Sequence, residues 1–246
     1  MSDPATTLLM TRPRAEAERF LRQLPADVLQ RVTPVVSPLL KIETCGETAN
    51  LENVAGVIFT SANGARSAAA PDQNTAIPAY CVGAATARIA ARLGWRVDAI
   101  GENADELVAT LIQSNTCGPL LHLCGRHTRG KVAERLCHAG CRTTRHVVYE
   151  QKLLPINDKI LAILRESALV IAPIFSPRTA RQFVNQCPEI KHLHLVAMSE
   201  AVAEPLSGMA HSSLSVAKHP NAASMVSAIE MLAQRHCRVE SGGGAQ

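Results

Sequence analysis

Apolar residues come in short runs separated by amphipathic stretches, the pattern of parallel strands joined by crossover helices. It predicts strands over Thr7–Met10, Val54–Thr60, Ala79–Val82, Leu120–Leu123, His146–Tyr149, Leu169–Ala172 and Leu193–Ala197. All but one lead into a helix signal. After Val82, AATARIAARLG places Ala85, Ile89 and Leu93 on one face with Arg88 and Arg92 off it, and Gly94 supplies the stop. The exception is RHVVYEQKLLP, Arg145–Pro155, which stays extended into a proline with no helix signal before about Asn157. It reads as a linker between domains. Pro34 and Pro38 disfavour helix around VVSPLLKIE, the other expected crossing. The chain thus divides into a discontinuous domain, 1–34 with 155–238, and a second over 39–148. The linkers are 35–38 and 149–154, and 239–246 is a disordered tail rich in glycine.

Three blocks recur in order in both halves. IFTSANGAR matches IFSPRTAR with Ser61 on Ser176, an offset of 115; VGAATA falls on MSEAVA with Gly83 on Ser199, at 116; NADELVATL from Asn103 falls on NAASMVSAI from Asn221, at 118. A period above 100 residues is too long for a solenoid and suits two domains of one ancestry. Ligands of open α/β sheets bind outside the carboxyl ends of the strands. The turns expected there are Thr11-Arg12, Thr60 to Asn63, Gly83 to Thr86, Gly125-Arg126, Ser176 to Arg178 and Ser199-Glu200. Each offers backbone N–H groups at a helix start, where an anion gains hydrogen bonds and a favourable dipole. Ser61, Thr86 and Ser176 also read as ordinary N-caps, but their repetition favours binding.

Composition narrows the class. The 246 residues are 47% apolar, enough for two modest cores. With 25 basic against 21 acidic residues and 3% aromatic residues there is no basic stripe with stacking rings, so nucleic acid is not an expected partner. The first ten residues lack a signal-peptide pattern and no run of eighteen apolar residues occurs, so a cytoplasmic protein without a membrane span is expected. The eight cysteines are then reduced thiols.

Several motifs fail on inspection. GRHTRGK, Gly125–Lys131, fills seven positions of a phosphate-binding loop, but the eighth is Val132, with no hydroxyl for magnesium. Cys137 and Cys141 near His138 have no second ligand pair at zinc-finger spacing, so no metal is expected. No GxGxxG and no GxSxG occurs, which argues against a dinucleotide site and against Ser61 or Ser176 as nucleophiles.

Taken together, TRP at Thr11–Pro13, FTSANG at Phe59–Gly64, VGAATARIAARLGW at Val82–Trp95, GENADELVATL at Gly101–Leu111, the GRHTRG segment, VVYE at Val147–Glu150, FSPRTARQF at Phe175–Phe183 and the last helix resemble the uroporphyrinogen-III synthase family nearly end to end. The resemblance implies two flavodoxin-like α/β domains with parallel sheets, the first discontinuous, joined by a two-stranded linker, with the active site in the cleft between them. It implies a cofactor-free hydro-lyase of heme biosynthesis. Its substrate is hydroxymethylbilane, a linear tetrapyrrole polycarboxylate, which loses its terminal hydroxyl as water and closes with the last ring inverted through a spiro intermediate. By position, Tyr149 and Thr86 match the family's catalytic hydroxyls, with Tyr149 the preferred proton donor. Thr11, Arg12, Ser61, Asn63, Gly83, Gly125, Arg129, Ser176, Arg178 and Ser199 are the expected substrate contacts. Ser199, Val202 and Arg178 depart from the family's usual residues in the second half. A monomer is expected. The competing reading is a non-catalytic tetrapyrrole- or anion-sensing module of the same fold.

Overall fold

A computed structural model describes residues 6–242 except 47, 70, 72–76, 117, 129, 188–189 and 191. The chain divides into two compact units, one over 1–41 and 153–246, the other over 42–152.

The first unit carries a five-stranded sheet. Its strands are β1 (Thr6–Met10), β2 (Thr33–Val36), β9 (Leu169–Ile174), β10 (Leu193–Ala197) and β11 (Ser213–Val216), in the order β11-β10-β9-β1-β2, every pair parallel. Successive side chains of β1 alternate between two cores. Leu8 and Met10 pack with Phe20, Val28 and Ile229 from α1 (Arg14–Leu21), α2 (Ala26–Arg31) and α10 (Ala222–Gly242). Leu9 packs on the opposite face with Leu164, Phe183 and Val202 from α7 (Asp158–Glu166), α8 (Pro177–Gln186) and α9 (Glu200–Ala203).

The second unit repeats this plan. Its sheet runs β3-β8-β7-β4-β5-β6, built from β3 (Leu40–Thr44), β4 (Gly56–Phe59), β5 (Pro78–Val82), β6 (Arg96–Gly101), β7 (Leu120–Gly125) and β8 (Thr143–Leu153). Strands β4 to β8 are parallel. One face packs Val57, Phe59, Leu121 and Leu123 against α3 (Ala62–Ser67) and α4 (Ala84–Arg92). The other packs Ile58, Tyr80 and Leu120 against α5 (Ala104–Gln113) and α6 (Val132–His138). Laid strand on strand, β6-β5-β4-β7-β8 repeats β11-β10-β9-β1-β2, which is the duplication written in hydrogen bonds. The echoed residues are mostly caps: Ser61 accepts from the Gly64 N–H and Ser176 from the Thr179 N–H, while Asn103 accepts from Asp105 and Glu106 and Asn221 from Ser224.

The strands missing from the sequence expectation are β2, β3, β6 and β11, and all four are sheet edges. Their side chains are mostly half-buried or exposed, so no apolar run announces them. The expected first linker is displaced for this reason. Val35 and Val36 belong to β2, paired with Leu9 and Met10, and Pro34 is tolerated because an edge strand leaves one side unpaired. The chain crosses between Lys41 and Ile42 and returns between Lys152 and Leu153. The Cys45 N–H bonds to the Val148 carbonyl and the Leu154 N–H to that of Leu39, so β3 and β8 are antiparallel. Helix α10 runs on to Gly242, so the first part of the expected tail is helical; 243–246 lie outside the described residues. Among the described residues no helix is long and apolar enough to cross a membrane.

Gly64 marks the tightest helix-to-sheet contact next to the candidate site. A Cβ there would stand 2.7 Å from the carbonyl oxygen of Leu123, in the backbone of a central strand. Gly64→Ala is expected to destabilise the protein by about 1 to 3 kcal/mol, the usual range for overpacking. Urea unfolding should show a lowered midpoint with an unchanged slope. An unmoved midpoint would mean that α3 can lift off β7 at no cost.

Candidate active site

The site is organised by a glycine. Strand β7 ends at Gly125, and its pairing with β8 slips between Cys124 and Gly125, so that Gly125 faces Tyr149 and Val148 is passed over. The Arg126 N–H closes the slip on the Tyr149 carbonyl at 2.9 Å. A Cβ on Gly125 would fall 2.6 Å from Cζ of the Tyr149 ring and 2.9 Å from its hydroxyl, so only glycine lets the ring lie over the strand end. Held there, Tyr149 is 6% exposed and its hydroxyl lies 3.1 Å from Ser61 Oγ. Burial pushes its pKa above the usual phenol value, against the pull of the Ser61 hydrogen bond, and the neighbouring Cys124 thiol adds to the rise. The phenol is therefore protonated at neutral pH.

Ser61 follows β4 and begins α3, with extended backbone. Its oxygen already accepts the Gly64 N–H at 3.2 Å. Together Thr60, Ser61, Gly125, Thr128 and Tyr149, with Val82, Ala104, His127 and Gly130, line a pocket of about 280 Å³. Behind it, His122 Nε2 lies 3.0 Å from Thr60 Oγ1. His122 is 1% exposed, and burial, with help from Arg145 and against Glu134, pushes its pKa down to about 4.

The structure gathers some of the sequence-derived candidates and separates others. Ser61, Gly125 and Tyr149 share the pocket. Gly83 starts α4 with φ of +80°, a conformation that favours glycine, but neither it nor Asn63 lines the pocket. Asn63 accepts a hydrogen bond from Arg66 at 3.1 Å instead. Thr86 is buried in the first turn of α4 and does not line the pocket either. Arg129 lies outside the described residues. In the first unit, Thr11, Ser176 and Ser199 follow the carboxyl ends of β1, β9 and β10. Thr11 is fully buried and its Oγ1 has no partner among the described residues. The Arg12 guanidinium stacks 4.3 Å from the Phe175 ring centre, and burial, offset by Glu16, lowers its pKa. Ser176 caps α8 and meets Thr179 Oγ1 at 2.8 Å, while Arg178 stands half-buried in the first turn. Ser199 occupies the capping position of α9 but makes no side-chain capping bond. His122 escaped the sequence reading, although its signal was there: one polar residue inside the apolar run LLHLCG.

The family model described as uroporphyrinogen-III synthase HemD matches residues 29–227. The chain belongs to the uroporphyrinogen-III synthase family. These are cyclising hydro-lyases of heme biosynthesis that act on hydroxymethylbilane, and the sensing-module alternative has no support. The fold is that of solved uroporphyrinogen-III synthases. The crystal structure of the synthetase from Helicobacter pylori superposes with a TM-score of 0.68 at 16% identity, covering 93% of this chain and 99% of that one. A mutant of the Thermus thermophilus synthase superposes at 0.54 with 14% identity, over 94% of this chain and all of the other. No curated protein matches the chain.

Within this synthase fold, His122 links the site to stability. Its folded pKa of about 4 lies below the ordinary 6.5, so on acidification the unfolded chain takes up the proton first. Stability present above pH 6.5 is lost as pH falls towards 4, by about 3 kcal/mol in all. Urea unfolding of the parent and of His122→Gln at about pH 7 and about pH 4.5 isolates this from the carboxylates. The parent should lose about 2 to 3 kcal/mol more than the variant; equal losses would show that the buried imidazole is not what acid attacks.

Proposed function

We propose that the second unit carries the chemistry of ring closure and that Tyr149 is its proton donor. The observation that carries this reading is the Tyr149–Ser61 hydroxyl pair, held over Gly125 at the pocket's wall. Ser61 Oγ has one acceptor site taken by the Gly64 N–H, and donating its own proton to Tyr149 leaves the phenolic proton free for the substrate. As a pyrrole nitrogen of hydroxymethylbilane pushes electrons toward the terminal carbon, the C–O bond breaks and the Tyr149 proton completes the departing water. The phenolate is stabilised at that moment by the Ser61 O–H and recovers a proton when the closed ring loses one. The remaining task is to hold a strained conformer of a polyanion, which fixed donors at strand ends do without reorganisation. Gly83, Asn63 and Thr86 shape that edge in the second unit. Arg12 and Arg178, with the Thr11, Ser176 and Ser199 turns, are what the first unit offers to the substrate's carboxylates. The protein acts as a cytoplasmic monomer without cofactor.

Tyr149→Phe keeps the ring, so the variant should melt like the parent. With hydroxymethylbilane, made enzymatically and supplied fresh, the rate should fall by about 100- to 10,000-fold, the range of general acid catalysis. Spontaneous closure then overtakes the enzyme and the uninverted isomer dominates. A folded variant with parental rate and isomer ratio would remove Tyr149 as the acid.

A further inference from the structure

His122 has a position that a packing role does not explain. All six residues of β7 are buried, and His122 is the one ionisable side chain other than a thiol among them. It pairs with Ile58 on β4, and Thr60 stands two residues further toward the pocket, so imidazole and hydroxyl are diagonal neighbours on one face. A leucine or methionine would fill the space without the difficulty that histidine brings. Nδ1 is buried and has no partner among the described residues. The surrounding charged and titratable groups are Arg145 on β8, directly across the ladder, Glu134 on α6 and Cys124 further along β7.

A neutral ring carries one proton, and its place decides what Thr60 can do. If Nδ1 held it, a buried N–H would have no acceptor, the rarer and costlier kind of orphan. Thr60 would then donate to Nε2 and turn only lone pairs to the pocket. If Nε2 holds the proton, Nδ1 is left as a bare acceptor and the Thr60 proton is released to point outward. A pocket for a polycarboxylate needs donors, and only the second arrangement gives it one from Thr60. We propose that His122 is a positioning residue which, as the neutral Nε2–H tautomer, donates to Thr60 Oγ1 and thereby aims the Thr60 proton at a carboxylate arm of the substrate. This rests on the reading of the Tyr149 pocket as the site of closure.

The test has two arms on the full chain. In protein labelled with ¹⁵N-histidine, of which there are nine, the His122 signals are assigned by their loss in His122→Gln. They should show a protonated Nε2 and a bare Nδ1 at neutral pH. A protonated Nδ1 overturns the proposal, and this arm needs no folded variant of His122 beyond the assignment. The second arm measures kcat/KM with hydroxymethylbilane for Thr60→Val, His122→Leu and the pair. Thr60→Val should lose about tenfold or more, the weight of one hydrogen bond to a charged group. His122→Leu should lose a similar factor, the double variant no more than Thr60→Val, and His122→Gln, whose amide N–H reaches the same place, should recover most of the loss. Losses that multiply would mean that His122 acts structurally and overturn the proposal. A parent that forms only the uninverted isomer would instead bring down the reading of the site itself, and the positioning role with it.

Discussion

Parallel strand pairing is the constraint from which the rest follows. Four neighbouring pairs in each sheet run the same way. Strands so paired need a crossover, and every crossover helix must start at the same edge. That edge therefore collects the turns, free N–H groups and capping hydroxyls of both units, while the faces are consumed by apolar packing. The blocks that the two units share accordingly lie where strands end and helices begin. Core positions accept many apolar residues, but a serine that must cap an α-helix right after a buried strand accepts few replacements.

The two units put the same turn to different use. After β9, Ser176 Oγ caps Thr179 and meets the Thr179 hydroxyl at 2.8 Å, so its needs are met within its own first turn. After β4 the equivalent third position is Gly64, which has no hydroxyl to offer and which the Leu123 carbonyl forbids to carry a side chain. Ser61 is thus left with a bond to make, and Tyr149 arrives from another strand to make it. Two glycines, 64 and 125, are what open that meeting place. A difference of one side chain after each strand separates a cap closed within its own turn from a hydroxyl that pairs across to another strand.

Legibility in the sequence follows the same division. Strands buried on both faces stand out as apolar runs, and Asn103, Asn157 and Ser176 mark helix starts by the chemistry of their caps. The edge strands do not stand out, because Thr33-Pro34 and the alternating Arg96 to Gly101 carry polar residues on surfaces that only one neighbour covers. Tyr149 could be singled out as a phenol at a crossing, but neither the slipped register nor the Gly125 contact that places it has any signature in a string of letters. Thr86 and Asn63 read as pocket-lining in the sequence, but neither lines the pocket beside Tyr149. A polar side chain in the first turn after a strand reads as facing outward in the sequence, whereas the helix rotation buries the Thr86 hydroxyl and leaves the Asn63 amide oxygen accepting from Arg66.

Tyr149 at the pocket wall and His122 behind it are both uncharged at neutral pH. Burial raises the pKa of Tyr149 and lowers that of His122, in both cases favouring the neutral form. A cationic acid would form an ion pair with a carboxylate, which raises its pKa and ties it to the wrong group. A buried phenol beside an incoming anion becomes a weaker acid still, so it keeps its proton through binding. On the proposed reading of Tyr149 as donor, the leaving oxygen becomes basic enough to take that proton only when the C–O bond begins to break. The desolvation that burial imposes then makes the Ser61 hydrogen bond to the new phenolate stronger than it would be in water. On that reading, resistance to early proton loss and help with late proton transfer are two results of the same burial, set by a tyrosine laid over a glycine.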